Sequence, residues 1–371
     1  MSDRMPVRLT RIVAIAVLVI VALAIPLYID EFWLRLGFAA CGTAIGAIGL
    51  TALTGAAGQL SLAHAFFLAI GAVSYCVLAG DPDPLTGPPG LGWPPLLALV
   101  AAVAISALAG LIISPLSSRL SGLNLGVATL GLVFIGQHLL ATVDGVTGGF
   151  EGRSAPPFEI GGLSFSDLTE LTVLGVEFGA YERLWYLGLV MLAVSVVASR
   201  NLLGGRHGRA FRMVRDKELT AGVCGVDVRR VKRQAFVFSS AMAGLSGVMF
   251  ALLIGSVAPV SFTLEVSIQY LVMIVIGGMG SVGGAVLGAV FVTALPILLQ
   301  RYAGHIPMLG ESLSPASAAR YLYGLAVLLV LVLEPRGLSG IGARLARRAT
   351  SSQRVGADTP TPSPIREAAQ R

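Results

Sequence analysis

The chain has 371 residues, of which 55% are hydrophobic and only 12% are charged, and its mean hydropathy is +0.82. Soluble domains carry about 25% charged residues, so this composition excludes an ordinary soluble protein and indicates a membrane protein. The formal net charge is +6, and the three cysteines, an odd number, predict no disulfide framework.

The N-terminal segment resembles a secretory signal, because Arg4, Arg8 and Arg11 precede an apolar run. The residues after Pro26 offer no small-residue cleavage site, and another apolar segment follows at once. We therefore expect residues 1–11 to form a cytoplasmic N-terminus and the following run to be a retained span.

Repeated apolar runs of near 20 residues fit helices that cross a bilayer core of about 30 Å. They predict an all-α, polytopic membrane protein with about ten transmembrane helices, some of them broken or re-entrant. The eighth is short, and its Gly-rich exit predicts a break, which membranes tolerate only where protein or water satisfies the backbone. The predicted spans are residues 12–29, 34–54, 61–79, 94–114, 120–141, 183–200, 234–255, 266–279, 284–302 and 320–334.

Most of the 26 lysines and arginines lie in four regions: the N-terminus, Arg119, the loop 200–233 and the segment after Pro335. If the chain crosses the membrane ten times, all four regions lie on the same side. The positive-inside rule makes that side cytoplasmic, so both termini are expected there. The longest segment on the opposite side is 144–182. The tail 339–371 lacks apolar periodicity and is predicted to be basic, cytoplasmic and largely disordered.

Catalysis is not indicated by the residues. None of the four histidines is spaced with a second ligand as a metal site requires, and no phosphate-binding GxxxxGK[ST] motif occurs. The predicted spans carry charged residues only near their ends. Because ion-coupled transporters usually place ionisable residues within the membrane, this pattern favours energy supplied from outside the chain.

The loop 200–233 contains the most informative pattern. Phe211, Val214, Leu219 and Val223 recur at helical intervals beside arginines, which predicts an amphipathic segment that breaks near Gly225. Two interpretations stay open from the residues alone. The segment could rest on anionic lipid headgroups, or it could dock a cytoplasmic partner.

Six stretches of the sequence, in the order in which they occur, resemble the membrane subunit of branched-chain amino acid ABC importers, the LivM-type permease family. The resemblance spans the chain from about residue 40 to 338. The stretches are TGAAGQLSLAHAFFLAIGA (54–72), VTGGFEG (146–152), GRAFRMVRDKELTAGVCGVDV (208–228), FVFSSAMAGLSGVMFA (236–251), VIGGMGSVGGAVLGA (275–289) and YGLAVLLVLVLEPRGL (323–338).

The resemblance implies that residues 12–338 form an ABC permease domain in the bacterial inner membrane. It implies that the loop is a coupling helix that seats in a groove of an ATPase subunit. Thr220 stands where the family usually has alanine, and Ala63 replaces the usual glycine of GQLSLGHA. The expected coupling residues are Arg209, Arg212, Arg215, Asp216, Glu218, Ala221 and Gly225.

The implied partners are a second, LivH-like permease subunit, two ABC ATPase subunits, an extracytoplasmic solute-binding protein and membrane lipids, with no nucleic acid. No cofactor is expected on this chain, since the partner subunits use the ATP. The chain itself is not expected to be an enzyme. The expected cargo is branched-chain or related neutral amino acids. Urea, short amides or another small neutral solute are the alternatives, and a stand-alone passive channel is the alternative of a different class.

Polar residues within the spans are candidates for a translocation path, although such side chains commonly bond neighbouring helices instead. Those just after the Gly55–Gly58 break stand out, because an unwound helix end exposes backbone groups. The Gly-rich stretch 54–65 loosely echoes 277–289. The VTGG stretch (146–149) could shape an outer vestibule or cap the fifth span. The path candidates are Gln59, Ser61, His64, Asn124 and Thr129.

Overall fold

The computed structural model describes residues 17, 20–83, 88–160, 163–165, 171–173, 176–302, 315–333, 337, 338 and 340. The N-terminal part of the predicted first span (12–29), all of residues 1–11, and residues 339–371 except 340 lie outside them. The α-helices are α1 (Glu31–Leu50), α2 (His64–Ala79), α3 (Pro95–Arg119), α4 (Gly122–Thr142), α5 (Asp144–Thr147), α6 (Ala180–Gly204), α7 (Arg206–Asp216), α8 (Glu218–Val223), α9 (Val228–Ile254), α10 (Leu264–Gly277), α11 (Val282–Tyr302) and α12 (Pro315–Leu333).

Within the described ranges, seven helical stretches are long and apolar enough to cross a membrane. Two further apolar helices, His64–Ala79 and Tyr321–Val330, are shorter. The prediction of an all-α, polytopic membrane protein is thus confirmed, while the number of ten is not. The seven stretches are Glu31–Ala56, Pro95–Arg119, Gly122–Thr142, Ala180–Gly204, Val228–Ile254, Pro259–Gly277 and Val282–Arg301.

Helix α9 lies at the centre of the bundle and packs against α1, α2 and α3. Small residues allow this close approach. A Cβ at Gly71 of α2 would lie 2.5 Å from the Cα of Gly244 in α9, so neither position has room for a side chain. The Ser106 hydroxyl of α3 donates to the Ser240 carbonyl of α9 at 2.8 Å and lies 3.2 Å from the Phe67 carbonyl of α2. These contacts join three helices into the core.

Two helix breaks interrupt the bundle and meet each other. Helix α1 continues into a π-helical turn, Thr51–Ala56, and residues 57–63 then run without regular structure to α2. Helix α10 ends at Gly277, where Gly278 takes a φ of 105°, and α11 begins at Val282. The Gly-rich exit of the predicted eighth span is therefore a break. A Cβ at Gly55 would lie 2.8 Å from the Cα of Gly280, so the backbones of the two breaks touch.

Helix α2 is short because the chain enters it through the first break. Its 16 residues span only about 24 Å, less than the bilayer core of about 30 Å. The preceding residues 57–63 are largely buried within the protein. Burial inside protein is the condition under which irregular backbone occurs at membrane depth, because protein groups replace the missing water.

The end of the bundle opposite the loop 200–233 carries six short strands. β1 (Arg153–Ser154) pairs antiparallel with β6 (Ser256–Val257). The other strands, of two or three residues each, form the hairpins β2–β3 (Glu159–Ile160 with Leu163–Ser164) and β4–β5 (Leu171–Val173 with Val176–Phe178). The predicted long segment 144–182 is thus anchored, at Arg153–Ser154, to the strand that follows α9.

Arg153 fastens this end together. Its guanidinium donates to the carbonyls of Val146 and Pro89 at 3.1 and 2.8 Å, which joins two outer loops. Burial lowers the pKa of this guanidinium. Thr147 of the VTGG stretch donates to the carbonyl of Leu140 at 2.7 Å, so this threonine caps the end of α4.

Candidate functional site

The loop 200–233 contains two short helices that are separated by one extended residue. Helix α7 ends at Asp216, Lys217 is extended (φ −155°, ψ 100°), and α8 runs from Glu218 to Val223. Gly225 then takes a φ of 81°, a conformation that favours glycine, and the Asp227 side chain accepts from the Arg230 amide to cap α9. The predicted break near Gly225 is confirmed.

The inner side of this segment is bound to the bundle. Phe211 and Val214 of α7 and Ala221 of α8 are buried. The resemblance implied that Ala221 is one of the coupling residues. The structure instead places Ala221 on the inward face, where its small size serves packing within the chain.

The outer side presents apolar residues to solvent. The predicted amphipathic pattern is confirmed in α7, where Phe211 and Val214 are buried, but it is wrong in α8. Leu219 and Val223 are both 89% exposed and do not continue the buried stripe of Phe211 and Val214. The extended residue Lys217 resets the helical phase, so α8 turns these two side chains outward. We call the exposed outer side the docking face; it comprises Arg209, Arg212, Met213, Asp216, Leu219 and Val223.

Two polar connections tie the segment to the first helix break. The Arg215 guanidinium donates to the carbonyl of Gly55 in the π-helical turn at 2.8 Å. Glu218 pairs with the ammonium of Lys232, a buried residue of α9, at 2.5 Å. The carbonyl of Lys232 in turn accepts from the side-chain amide of Gln59 at 3.2 Å. Glu218 thus has an ion-pair partner within the chain.

The path candidates Gln59, Ser61, His64 and Thr129 are buried around the same break. The Thr129 hydroxyl accepts from the Leu62 amide at 2.9 Å, and the Ser61 hydroxyl accepts from the Ala63 amide at 3.3 Å. These hydroxyls satisfy amides that the broken helix leaves without backbone partners. Asn124, although on the same helix as Thr129, is exposed.

His64 begins α2, and its ring lies 4.5 Å from that of Tyr270 in α10. The Tyr270 hydroxyl is 2.8 Å from Ser246 of α9, and Ser246 donates to the Gly42 carbonyl of α1. Among the described residues, the Nε2 of His64 and the Oε1 of Gln59 are buried without a hydrogen-bond partner. The break therefore lies in a polar region enclosed by four helices.

Residues that could hold a metal do not come together in the described part of the chain, where no group of three or more His, Cys, Asp or Glu is found. Sequence reasoning overlooked Lys232, which lies within the basic loop 200–233. Its neighbours Arg229, Arg230 and Arg233 are exposed, and no local pattern distinguishes Lys232 from them. Sequence reasoning also overlooked Ser267, whose hydroxyl accepts from the Ala65 amide at 2.9 Å and caps α2.

Seven long apolar helices among the residues described, with helix breaks that are enclosed by protein, define a multi-pass membrane protein. The chain belongs to the family described as branched-chain amino acid transport system / permease component, whose profile matches residues 34–333. The resemblance identified in the sequence is therefore confirmed.

Several known proteins are similar to this chain. It is 32% identical over 266 residues to the high-affinity branched-chain amino acid transport system permease protein LivM of Salmonella typhimurium, and 31% identical over 266 residues to LivM of Escherichia coli. Each match covers 69% of this chain and 60% of the relative. The autoinducer 2 import system permease protein LsrC of Enterobacter sp. is 29% identical over 248 residues, or 65% of this chain and 63% of the relative. No solved structure matches the chain.

Proposed function

We propose that this chain is a transmembrane subunit of an ATP-driven importer. In this proposal it forms the path together with a second permease subunit and receives solute from an extracytoplasmic binding protein. Cytoplasmic ATPase subunits bind and hydrolyse the ATP, and one of them seats on the docking face. Family membership and the names of the LivM relatives support this proposal.

The observation that carries it is the exposure of Leu219 and Val223. Apolar side chains beside arginines, at 89% exposure on a segment whose inner side is buried, are suited to a protein partner that covers them. ATP-driven closure of the ATPase pair would displace the segment and switch the path between the two faces of the membrane.

Branched-chain or related neutral amino acids are the proposed solutes. The names of the LivM relatives support this class, whereas LsrC shows that permeases similar to this chain also serve a chemically different solute. Competition between labelled leucine and unlabelled valine, isoleucine, urea or acetamide for uptake by the reconstituted transporter tests the assignment. Inhibition by urea or acetamide, with none by valine or isoleucine, would refute it.

Docking is tested by co-purification of the ATPase subunits with variants of the chain. We expect Leu219→Asp and Val223→Asp to lose the ATPase, because each buries a carboxylate in an apolar contact. Phe150→Asp is the matched control, since Phe150 is an exposed apolar residue (81%) outside both the loop and the seven apolar stretches.

Retention of the ATPase by both loop variants would refute docking at this face. If those variants also bound less well to vesicles containing anionic lipids, the headgroup interpretation of the loop would replace it.

A further inference from the structure

The segment that carries the docking face is connected to the first helix break at two points, and both connections involve charged groups. Arg215 reaches the break directly at the Gly55 carbonyl, and Glu218 reaches it through Lys232 and Gln59. These contacts join elements that are far apart in sequence. The break in turn touches the second break at Gly280.

Lys232 is the central residue of the longer connection. Only 5% of its side chain is exposed, and burying an unpaired ammonium is costly, so the ion pair with Glu218 fixes its position. Among the residues that the structure describes, Glu218 is the one carboxylate that pairs with it. Glu218 is half-exposed at the start of α8, so movement of α8 acts on a buried charge.

Gln59 receives the other end of this connection. Its side-chain amide donates to the main-chain carbonyl of Lys232, and its backbone amide donates to the Leu53 carbonyl of the π-helical turn at 3.1 Å. The Thr54 hydroxyl also donates to the Gln59 carbonyl at 3.0 Å. Gln59 therefore holds the turn and α9 together at the point where α1 loses its regular hydrogen bonds.

Arg215 makes the shorter connection. The last carbonyls of a helix lack backbone partners and carry the negative end of its dipole, which a cation stabilises. The Gly55 carbonyl lies in the turn that ends α1, and Arg215 supplies the cation. A Cβ at Gly58 would lie 3.2 Å from the Arg215 Cα, so the break also packs directly against α7.

We propose that four positioning residues transmit displacement of the docking segment, the segment that carries the docking face, to the helix break. These residues are Lys232, Glu218, Gln59 and Arg215. This inference rests on the proposed function, because it assumes that an ATPase moves the segment. A break with irregular hydrogen bonding is the element most easily displaced, and its contact with Gly280 passes the displacement to α10 and α11. We call this set of contacts between the docking segment and the break the linkage. In this arrangement Glu218 is part of the linkage and does not bind in the ATPase groove.

The test measures solute uptake per ATP hydrolysed by the complete transporter in proteoliposomes, together with ATPase co-purification. Glu218→Gln and Lys232→Met each remove one charge of the pair. We expect both variants to retain the ATPase while uptake per ATP falls on the order of tenfold. The double variant Glu218→Lys with Lys232→Glu restores the pair in reverse and should recover most of the loss. Arg233→Met, which removes the exposed neighbouring cation, is the matched control and should leave the ratio unchanged.

A second pair of variants keeps the test decisive if the reversed pair does not fold. Arg215→Gln should uncouple uptake from ATP hydrolysis. Arg215→Lys, which retains a cationic donor, should keep part of the coupling. Gln59→Met, which keeps the length but removes the donor, should uncouple in the same way.

The outcomes separate the linkage from the proposed function. Full coupling in Lys232→Met and Arg215→Gln would overturn the linkage while leaving ATPase docking intact. Loss of the ATPase from Glu218→Gln, without recovery in the reversed pair, would overturn it in favour of a direct contact between Glu218 and the ATPase. Absence of any ATPase from the unmodified transporter would refute the proposed function itself, and the linkage with it.

Discussion

The contact between the two helix breaks is sensitive to a single methyl group. In Gly55→Ala the new Cβ would lie 2.8 Å from the Cα of Gly280 and closer still to its amide nitrogen. Carbon atoms pack at about 3.5–4.0 Å, so the two backbones must separate by at least about 0.7 Å. Backbone atoms cannot rotate away as a side chain can. Overpacking of this kind costs about 1–3 kcal/mol.

The variant is compared with Gly131→Ala in α4, where a Cβ would meet nothing within 4 Å. Alanine at that helical position is favoured over glycine by about 1 kcal/mol, so the control should be neutral or slightly stabilising. Thermal unfolding in detergent and uptake in proteoliposomes are measured for both. We expect Gly55→Ala to lower the unfolding midpoint by a few degrees and to impair uptake. Equal midpoints and equal uptake for the two variants would refute the close contact of the breaks.

Two further predictions concern the core and the loop. Ser106→Ala should lower the free energy of unfolding by about 0.6–2 kcal/mol, because it removes the hydroxyl that joins α3 to α9. Ser118→Ala should not, since the hydroxyl of the half-buried Ser118 donates to the Pro115 carbonyl within its own helix; equal unfolding of the two variants would contradict the interhelical role. Cys224 is exposed while Cys41 and Cys76 are buried, so a membrane-impermeant maleimide should label Cys224 alone, in inside-out vesicles but not in right-side-out vesicles; labelling from the outer side would contradict the cytoplasmic placement of the loop.

Sequence patterns were sufficient to locate most spans, because apolar length is a direct consequence of the bilayer. The prediction of a break after the eighth span followed equally directly from its glycines, and α10 does end at Gly277. The extent of α1 was less accessible: it begins at Glu31 and continues into a π-helical turn through Ala56, and no local pattern distinguishes a π-turn from an α-helix.

The docking segment shows why periodicity alone misplaces surfaces. Phe211 and Leu219 have the same chemistry and fit one helical stripe, yet the first is buried and the second is exposed. The difference arises from one extended residue, Lys217, which the pattern does not reveal. The sequence of a single chain does not distinguish an apolar side chain that faces a partner from one that faces the core.

Contacts across the fold were not predictable from local patterns. The end of α8, the turn at Gly225 and the start of α9 lie between Glu218 and Lys232 in the chain. The geometry of their ion pair depends on all three. The two Gly-rich stretches resemble each other in sequence, but only the tertiary packing shows that Gly55 and Gly280 touch. Of the path candidates, the structure groups Gln59, Ser61, His64 and Thr129 around one break, and leaves Asn124 exposed.

Import driven by ATP is tested most directly by uptake of labelled leucine into proteoliposomes. One set of vesicles contains this chain alone, and the other contains it with its second permease, ATPase subunits and binding protein. We expect accumulation above the external concentration only in the complete set with ATP on the ATPase side, and none with a non-hydrolysable analogue. Equilibration of leucine by this chain alone, unaffected by ATP, would contradict ATP-driven import and identify a passive channel.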